Sequence, residues 1–109
     1  MKGRTFSILG IECEAEIGID TDFLNKAFKE NHYPNDDKLK CYFKCLNIKL
    51  GVMNEKGDVN DDRLKYVASH FSDASTEEEI VVECGNIEGA DLCETAFKLM
   101  ACVKNATLD

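Results

Sequence analysis

The sequence predicts an all-α fold, a compact bundle of about six helices cross-linked by disulfides. Apolar residues recur at helical rather than alternating spacing along almost the whole chain. The residues that interrupt them are helix caps and glycines. Six of the 109 residues are cysteines, and an even number of cysteines in a small chain indicates a disulfide framework. The length predicts a single domain over residues 1–109.

Two helices are predicted before Pro34. The first covers Phe6–Ile17, and a short second helix begins at Asp20 or Thr21, either of which can cap it, and runs through Phe28. Pro34 starts a new segment, because proline lacks the amide hydrogen that a continuing helix donates.

A third helix is predicted from about Asp37 to Leu50, and Gly51 is placed to end it in the left-handed conformation. Its apolar residues fall within about 40° of one line along the helix. They are Leu39, Phe43, Leu46 and Leu50. The opposite face carries Lys40, Lys44 and Asn47. We therefore expect one face of this helix to be buried, with Cys41 and Cys45 together on its flank.

Two further helices are predicted after a polar turn at residues 54–58. The fourth begins at about Asp61, and its apolar stripe consists of Leu64, Val67, Ala68 and Phe71. The fifth begins with a capping box formed by Ser75 and Glu78 and ends near Cys84. Its apolar residues are Ile80, Val81 and Val82.

The last helix is predicted from about Gly89 to Lys104, and its apolar residues sweep through about 220° of its circumference. They are Leu92, Cys93, Ala96, Phe97, Leu99, Met100, Cys102 and Val103. We expect a helix with so wide an apolar face to be buried on most sides.

Helix geometry restricts how the cysteines pair. Cys93 and Cys102 lie on opposite sides of the last helix and roughly 13 Å apart along its axis, beyond the reach of a disulfide. Cys41 and Cys45 are close enough, but a bridge within one helical turn closes almost no loop and gains little entropy. Excluding both pairs leaves ten of the fifteen pairings open. We expect the third and last helices each to be tied to two neighbours.

The cysteine spacing resembles that of the insect pheromone- and general odorant-binding proteins. It reads Cys13-x27-Cys41-x3-Cys45-x38-Cys84-x8-Cys93-x8-Cys102 and extends over about 90 of the 109 residues. The segments K-C-Y-F-K-C-L at 40–46 and L-G-V-M-N-E-K-G-D-V-N at 50–60 are similar to the third helix of that family and the turn after it. The resemblance implies the disulfides Cys13–Cys45, Cys41–Cys93 and Cys84–Cys102.

The resemblance further implies a secreted carrier for a small hydrophobic ligand, such as an odorant, a pheromone or a fatty acid. The disulfides would hold helices apart around an apolar cavity. The side chains expected to line it are Phe43, Leu46, Leu64, Val67, Ala68, Phe71, Ile80, Val81, Ala96, Phe97, Met100 and Val103. The polar groups expected near them are Tyr42, Tyr66 and Thr95. With so few polar groups, we expect broad selectivity for medium or long chains.

Composition excludes several partners. The net charge of −8 repels nucleic acid and anionic membrane surfaces, and no apolar run approaches the roughly 20 residues of a membrane span.

No secretory signal is visible, so we interpret the chain as a mature secreted form. An olfactory receptor and a second copy of the chain stay open as partners. Many relatives carry a longer tail than the seven residues after Cys102, so release by tail insertion is not expected.

Other functions have less support. We expect no enzyme, because the chain has two histidines and no nucleophile motif, and no cofactor is implied. Zinc is disfavoured by the absence of C-x2-C pairs, and an EF-hand around Gly57 would place Val52 at the first ligand position. His70, next to Phe71, is a candidate pH-sensitive group, although a solvated surface histidine is the more ordinary interpretation. The main alternative is a secreted interaction protein of venom, saliva or semen with a vestigial cavity.

Overall fold

The computed structural model describes residues 4–30, 32–69 and 74–107, with side chains for 8–30, 32–69 and 78–105. These residues form six helices, joined by turns and one isolated antiparallel bridge between Met53 and Val59. In chain order the helices are α1 (Arg4–Ile17), α2 (Thr21–Lys29), α3 (Asp37–Leu50), α4 (Asp61–Ala68), α5 (Ala74–Cys84) and α6 (Leu92–Thr107). The all-α prediction is confirmed.

Helix bounds differ from the prediction where local hydrogen bonds decide them. The last helix begins at Leu92 because Asp91 Oδ1 accepts the Glu94 amide at 2.8 Å, which makes Asp91 the cap. Gly89, predicted as helical, instead donates its amide to Thr95 Oγ1 at 2.9 Å.

The fourth and fifth helices also correct the prediction. The fourth ends at Ala68, so it does not reach Phe71, and both Phe71 and His70 lie outside the described residues. The fifth begins at Ala74, which places Ser75 inside its first turn rather than at its cap.

Asn47 was predicted on the solvent face of α3, and this prediction is wrong. Its side chain is 3% exposed, and its Nδ2 donates to the Phe43 carbonyl at 2.8 Å. The backbone carbonyl of Asn47 accepts hydrogen bonds from the amides of Val52 and Met53, at 2.9 and 3.2 Å. The chain after α3 therefore folds back over Asn47 and buries it, which the angular pattern of the helix does not reveal.

Two helices, α3 and α6, form the centre of the bundle. They pack against each other, α1 packs on α3, α5 packs on α6, and α4 packs on α5. Three disulfides each join two helices that pack against each other. Cys13–Cys45 joins α1 to α3, Cys41–Cys93 joins α3 to α6, and Cys84–Cys102 joins α5 to α6. This is the pairing that the family resemblance implies, and α3 and α6 are each tied to two neighbours.

Candidate functional site

The interior contains two buried apolar clusters, and α6 contributes side chains to both. The first, here called the aromatic cluster, consists of Cys13, Ile19, Leu24, Leu39, Tyr42, Phe43, Met53 and Ala96. The second, the aliphatic cluster, consists of Leu50, Val52, Leu64, Ala68, Ile80, Cys84, Leu99 and Val103. The N-terminal half of α3 contributes to the aromatic cluster and its last residue, Leu50, to the aliphatic one, so the two clusters meet where α3 packs on α6.

The structure divides the side chains that were expected to line a single cavity. Those belonging to or packed against the aliphatic cluster are Leu64, Val67, Ala68, Ile80, Val81 and Val103. Those belonging to or packed against the aromatic cluster are Phe43, Ala96, Phe97 and Met100. Leu46 packs against both clusters. The expected lining residues therefore fall into two clusters instead of forming one group.

Sequence reasoning missed several members of the aliphatic cluster. Leu9 of α1 packs against it although α1 is tied by disulfide to α3, and the turn after α3 contributes Val52. Leu99 is fully buried in it. Leu99 had a detectable signal, since it lies in the wide apolar sweep of α6, whereas no local pattern predicts that Leu9 packs against the aliphatic cluster.

The polar groups near the clusters serve the fold. Thr95 Oγ1 donates to the Asp91 carbonyl and accepts the Gly89 amide, both at 2.9 Å, so its hydroxyl completes the start of α6. Tyr66 is 51% exposed and its ring lies 4.7 Å from the Arg63 guanidinium. Tyr66 belongs to neither buried cluster.

Tyr42 is the third expected polar group, and it lies in the aromatic cluster. Its hydroxyl faces Gly10 of α1, where an added Cβ would come within 3.0 Å of it. Burial, and next the charge of Glu14, raise the pKa of Tyr42 to about 12. The phenol is therefore held neutral inside the α1–α3 interface.

Two surface concavities are poorer candidates for an apolar ligand. A groove of about 650 Å³ at the end of α3 has Glu55, Lys56 and Asp58 in its lining. A cleft of about 210 Å³ beside α2, which includes Lys26 and Glu30, is smaller than the roughly 300 Å³ at which ligand pockets begin. Both expose charged side chains, whereas the aliphatic cluster is formed by apolar side chains.

Residues 4–106 match the PBP/GOBP family. The chain belongs to this family. General odorant-binding protein 99a of Drosophila melanogaster is 27% identical over 101 residues, which cover 89% of this chain and 70% of the relative.

Two solved structures share the fold. A medfly odorant-binding protein, CcapOBP22/CcapOBP69a, superposes with a TM-score of 0.77 at 29% identity, covering 94% of this chain and 87% of the medfly protein. The fatty acid binding protein OBP56a from the oral disk of the blowfly Phormia regina superposes with a TM-score of 0.74 at 22% identity, covering 94% and 88%. The second likeness shows the fold alone.

Membership in the PBP/GOBP family, together with the helical fold and its three disulfides, identifies a carrier of small hydrophobic ligands. The family is one of odorant-binding carriers. None of the described helices has the length and apolar character that a membrane span requires.

Proposed function

We propose that this protein is a secreted, non-enzymatic carrier that holds its ligand against the aliphatic cluster, between α1, α4, α5 and α6. The observation that carries the proposal is the convergence of aliphatic side chains from separate elements on one centre. Leu9, Val67 and Val81 face this centre from three different helices and are only partly buried. A ligand that covers their remaining apolar surface gains roughly 25 cal/mol per Å² removed from water.

The Cys84–Cys102 disulfide supports the proposal that ligand space opens at the aliphatic cluster. Cys84 is fully buried in the aliphatic cluster and Cys102 packs against it, so the bridge fixes α5 to α6 at the edge of the proposed site. Unfilled volume in a protein interior costs about 24 cal/mol per Å³, which favours collapse of the surrounding helices. A covalent tie between α5 and α6 limits that collapse.

The chemistry of the cluster favours an aliphatic ligand. Its members are aliphatic side chains and one disulfide sulfur, whereas the rings lie in the aromatic cluster. The blowfly protein with the same fold is described as binding fatty acids. We propose medium or long aliphatic chains as the ligand class, with affinity supplied by apolar burial rather than by a directional polar contact.

Secretion is supported by the cysteine chemistry. All six cysteines form disulfides, and such bonds persist in oxidising compartments and are rare in the cytosol. The same bonds leave no cysteine thiol for nucleophilic catalysis, which supports a carrier rather than an enzyme.

Two adjacent valines of α5 provide a matched test. Val81 packs against the aliphatic cluster, whereas Val82 is 76% exposed. We expect Val81→Phe to weaken binding of a neutral phenylnaphthylamine fluorophore at least tenfold, because the ring occupies ligand space, and Val82→Phe to leave it unchanged. Binding is measured by fluorescence titration of oxidised, delipidated protein, with helix content checked by circular dichroism.

Other outcomes separate the alternatives. Equal affinity of both variants would place the ligand elsewhere in the molecule. No uptake of the fluorophore by the wild-type protein would reject the carrier function and favour a secreted interaction protein. Mass spectrometry of the natively purified protein then identifies any co-purified fatty acid, alcohol or ester directly.

A further inference from the structure

Leu46 has a special position in the interior. Along the buried line of α3, Leu39 and Phe43 belong to the aromatic cluster and Leu50 belongs to the aliphatic cluster. Leu46 lies between them in sequence and packs against both clusters. No other partly buried apolar side chain in the described residues does so. Leu46 thus stands at the boundary between the proposed ligand space and the aromatic packing.

We propose that Leu46 is the wall that ends the aliphatic ligand space and sets the longest chain that this carrier accepts. The inference rests on the proposed function, since it assumes that the ligand lies against the aliphatic cluster. A ligand that extends along α3 from Leu50 towards Phe43 meets the Leu46 side chain before it reaches the aromatic rings. A chain too long to stop there has to displace Leu46 or leave methylene groups in water.

The aromatic side of this wall is rigidly supported. The Phe43 ring is fully buried, and its centroid lies 5.2 Å from that of Tyr33, 5.8 Å from that of Tyr42 and 6.4 Å from that of Phe97. Rings held by several neighbours are poorly able to move into space opened beside them, because a close-packed interior relaxes only partially after truncation. Removing atoms from Leu46 should therefore create usable space rather than a collapsed core.

The size of the effect follows from the side chains. Leucine has three more side-chain carbons than alanine, so Leu46→Ala opens room for about three methylene groups of a straight chain. Each additional buried methylene strengthens binding by about fourfold. We therefore expect the best-bound chain to lengthen by about three carbons in Leu46→Ala, and by about one carbon in the milder Leu46→Val.

The experiment is a competition assay with a homologous series of straight-chain alcohols. Each alcohol displaces the phenylnaphthylamine fluorophore from oxidised, delipidated protein, and its affinity is plotted against chain length. Ile48→Ala is the matched control, because Ile48 lies on the same helix but packs against the aromatic cluster and not the aliphatic one. We expect the optimum of Ile48→Ala to stay at the wild-type length.

The outcomes keep this proposal separate from the carrier function. If Leu46→Ala binds the fluorophore and keeps the wild-type optimum, Leu46 is not the wall and the carrier function stands. If Leu46→Ala does not fold, Leu46→Val decides the matter, because its best-bound alcohol should be about one carbon longer than that of the wild type. If Ile48→Ala shifts the optimum as far as Leu46→Ala does, the assignment to Leu46 is wrong. If the wild-type protein takes up neither fluorophore nor alcohol, the proposed function itself fails.

Discussion

At the scale of single residues, Tyr42 shows how a buried hydroxyl depends on a neighbouring helix. The side chain is 4% exposed, and its hydroxyl approaches α1 at Gly10, where any Cβ would come within 3.0 Å. Desolvation disfavours the tyrosinate, and the carboxylate of Glu14 disfavours it further, so the pKa of Tyr42 rises to about 12. The environment between α1 and α3 thus favours the neutral phenol.

The raised pKa makes folding sensitive to alkaline pH. A folded-state pKa above the ordinary value of about 10 means that the stabilisation from neutral Tyr42 is complete below pH 10. It is lost progressively as the pH rises through about 12. We expect the free energy of unfolding, measured in urea, to fall over this range, and less steeply in Tyr42→Phe.

Absorbance titration of the phenols checks the same assignment. The last tyrosinate step, near pH 12, should lose the amplitude of one tyrosine in Tyr42→Phe. Burial also raises the pKa of Tyr33, so Tyr33→Phe is titrated in parallel. An unchanged last step in Tyr42→Phe would show that its hydroxyl is not buried as described.

At the scale of elements, α3 is secured at both ends by specific hydrogen bonds. Asp36 Oδ1 accepts the Leu39 amide at 2.9 Å at the start of the helix. At the other end Gly51 adopts φ 78°, and the Arg63 Nε donates to the Leu50 carbonyl at 2.9 Å. These contacts fix the ends of α3, and the Cys13–Cys45 and Cys41–Cys93 disulfides tie the helix to α1 and α6.

Removal of the N-terminal cap should destabilise the protein measurably. Asp36→Ala leaves the Leu39 amide without its side-chain acceptor, and we expect a loss of about 1 kcal/mol in the free energy of unfolding. Asp36→Asn is the control, because asparagine caps as well as aspartate does. Equal losses in the two variants, measured by urea unfolding, would mean that the charge of Asp36 matters and its capping bond does not.

At the scale of the whole molecule, the disulfides define which helices stay together. The bridges run from α1 to α3, from α3 to α6 and from α6 to α5, and α4 packs on α5 without a disulfide of its own. The central α3–α6 pair carries the bridge with the largest sequence separation, 52 residues, whereas the α5–α6 bridge spans 18. The longer bridge constrains the unfolded chain more strongly.

The loss of stability on removing each bridge should follow this order. In the loop-closure description, replacing both Cys41 and Cys93 by alanine costs about 4 kcal/mol, and replacing both Cys84 and Cys102 costs about 3 kcal/mol. Urea unfolding of the two double variants measures the difference. The short bridge should matter more for ligand affinity, because it borders the aliphatic cluster. A larger loss of stability without Cys84–Cys102 than without Cys41–Cys93 would show that native contacts, and not chain entropy, dominate the effect of the disulfides.

Much of the fold was predictable because its signals are local. Six helices follow from apolar periodicity and from caps such as Gly51, each of which acts within a few residues of chain. Two of the errors are local as well. The start of α6 shifted because Asp91 caps it, and Asn47 was misplaced because a turn after α3 covers it.

The sequence by itself determined the helices, the disulfide-linked character of the chain and the family to which its cysteine spacing belongs. The tertiary structure alone decided how the apolar residues are shared between two clusters, and that Leu9 reaches the aliphatic cluster while Leu46 contacts both. The physical reason is that periodicity identifies which face of a helix avoids water. Burial is non-directional and does not specify which neighbour covers that face. The packing of α3 against α6 supplies that information for this protein.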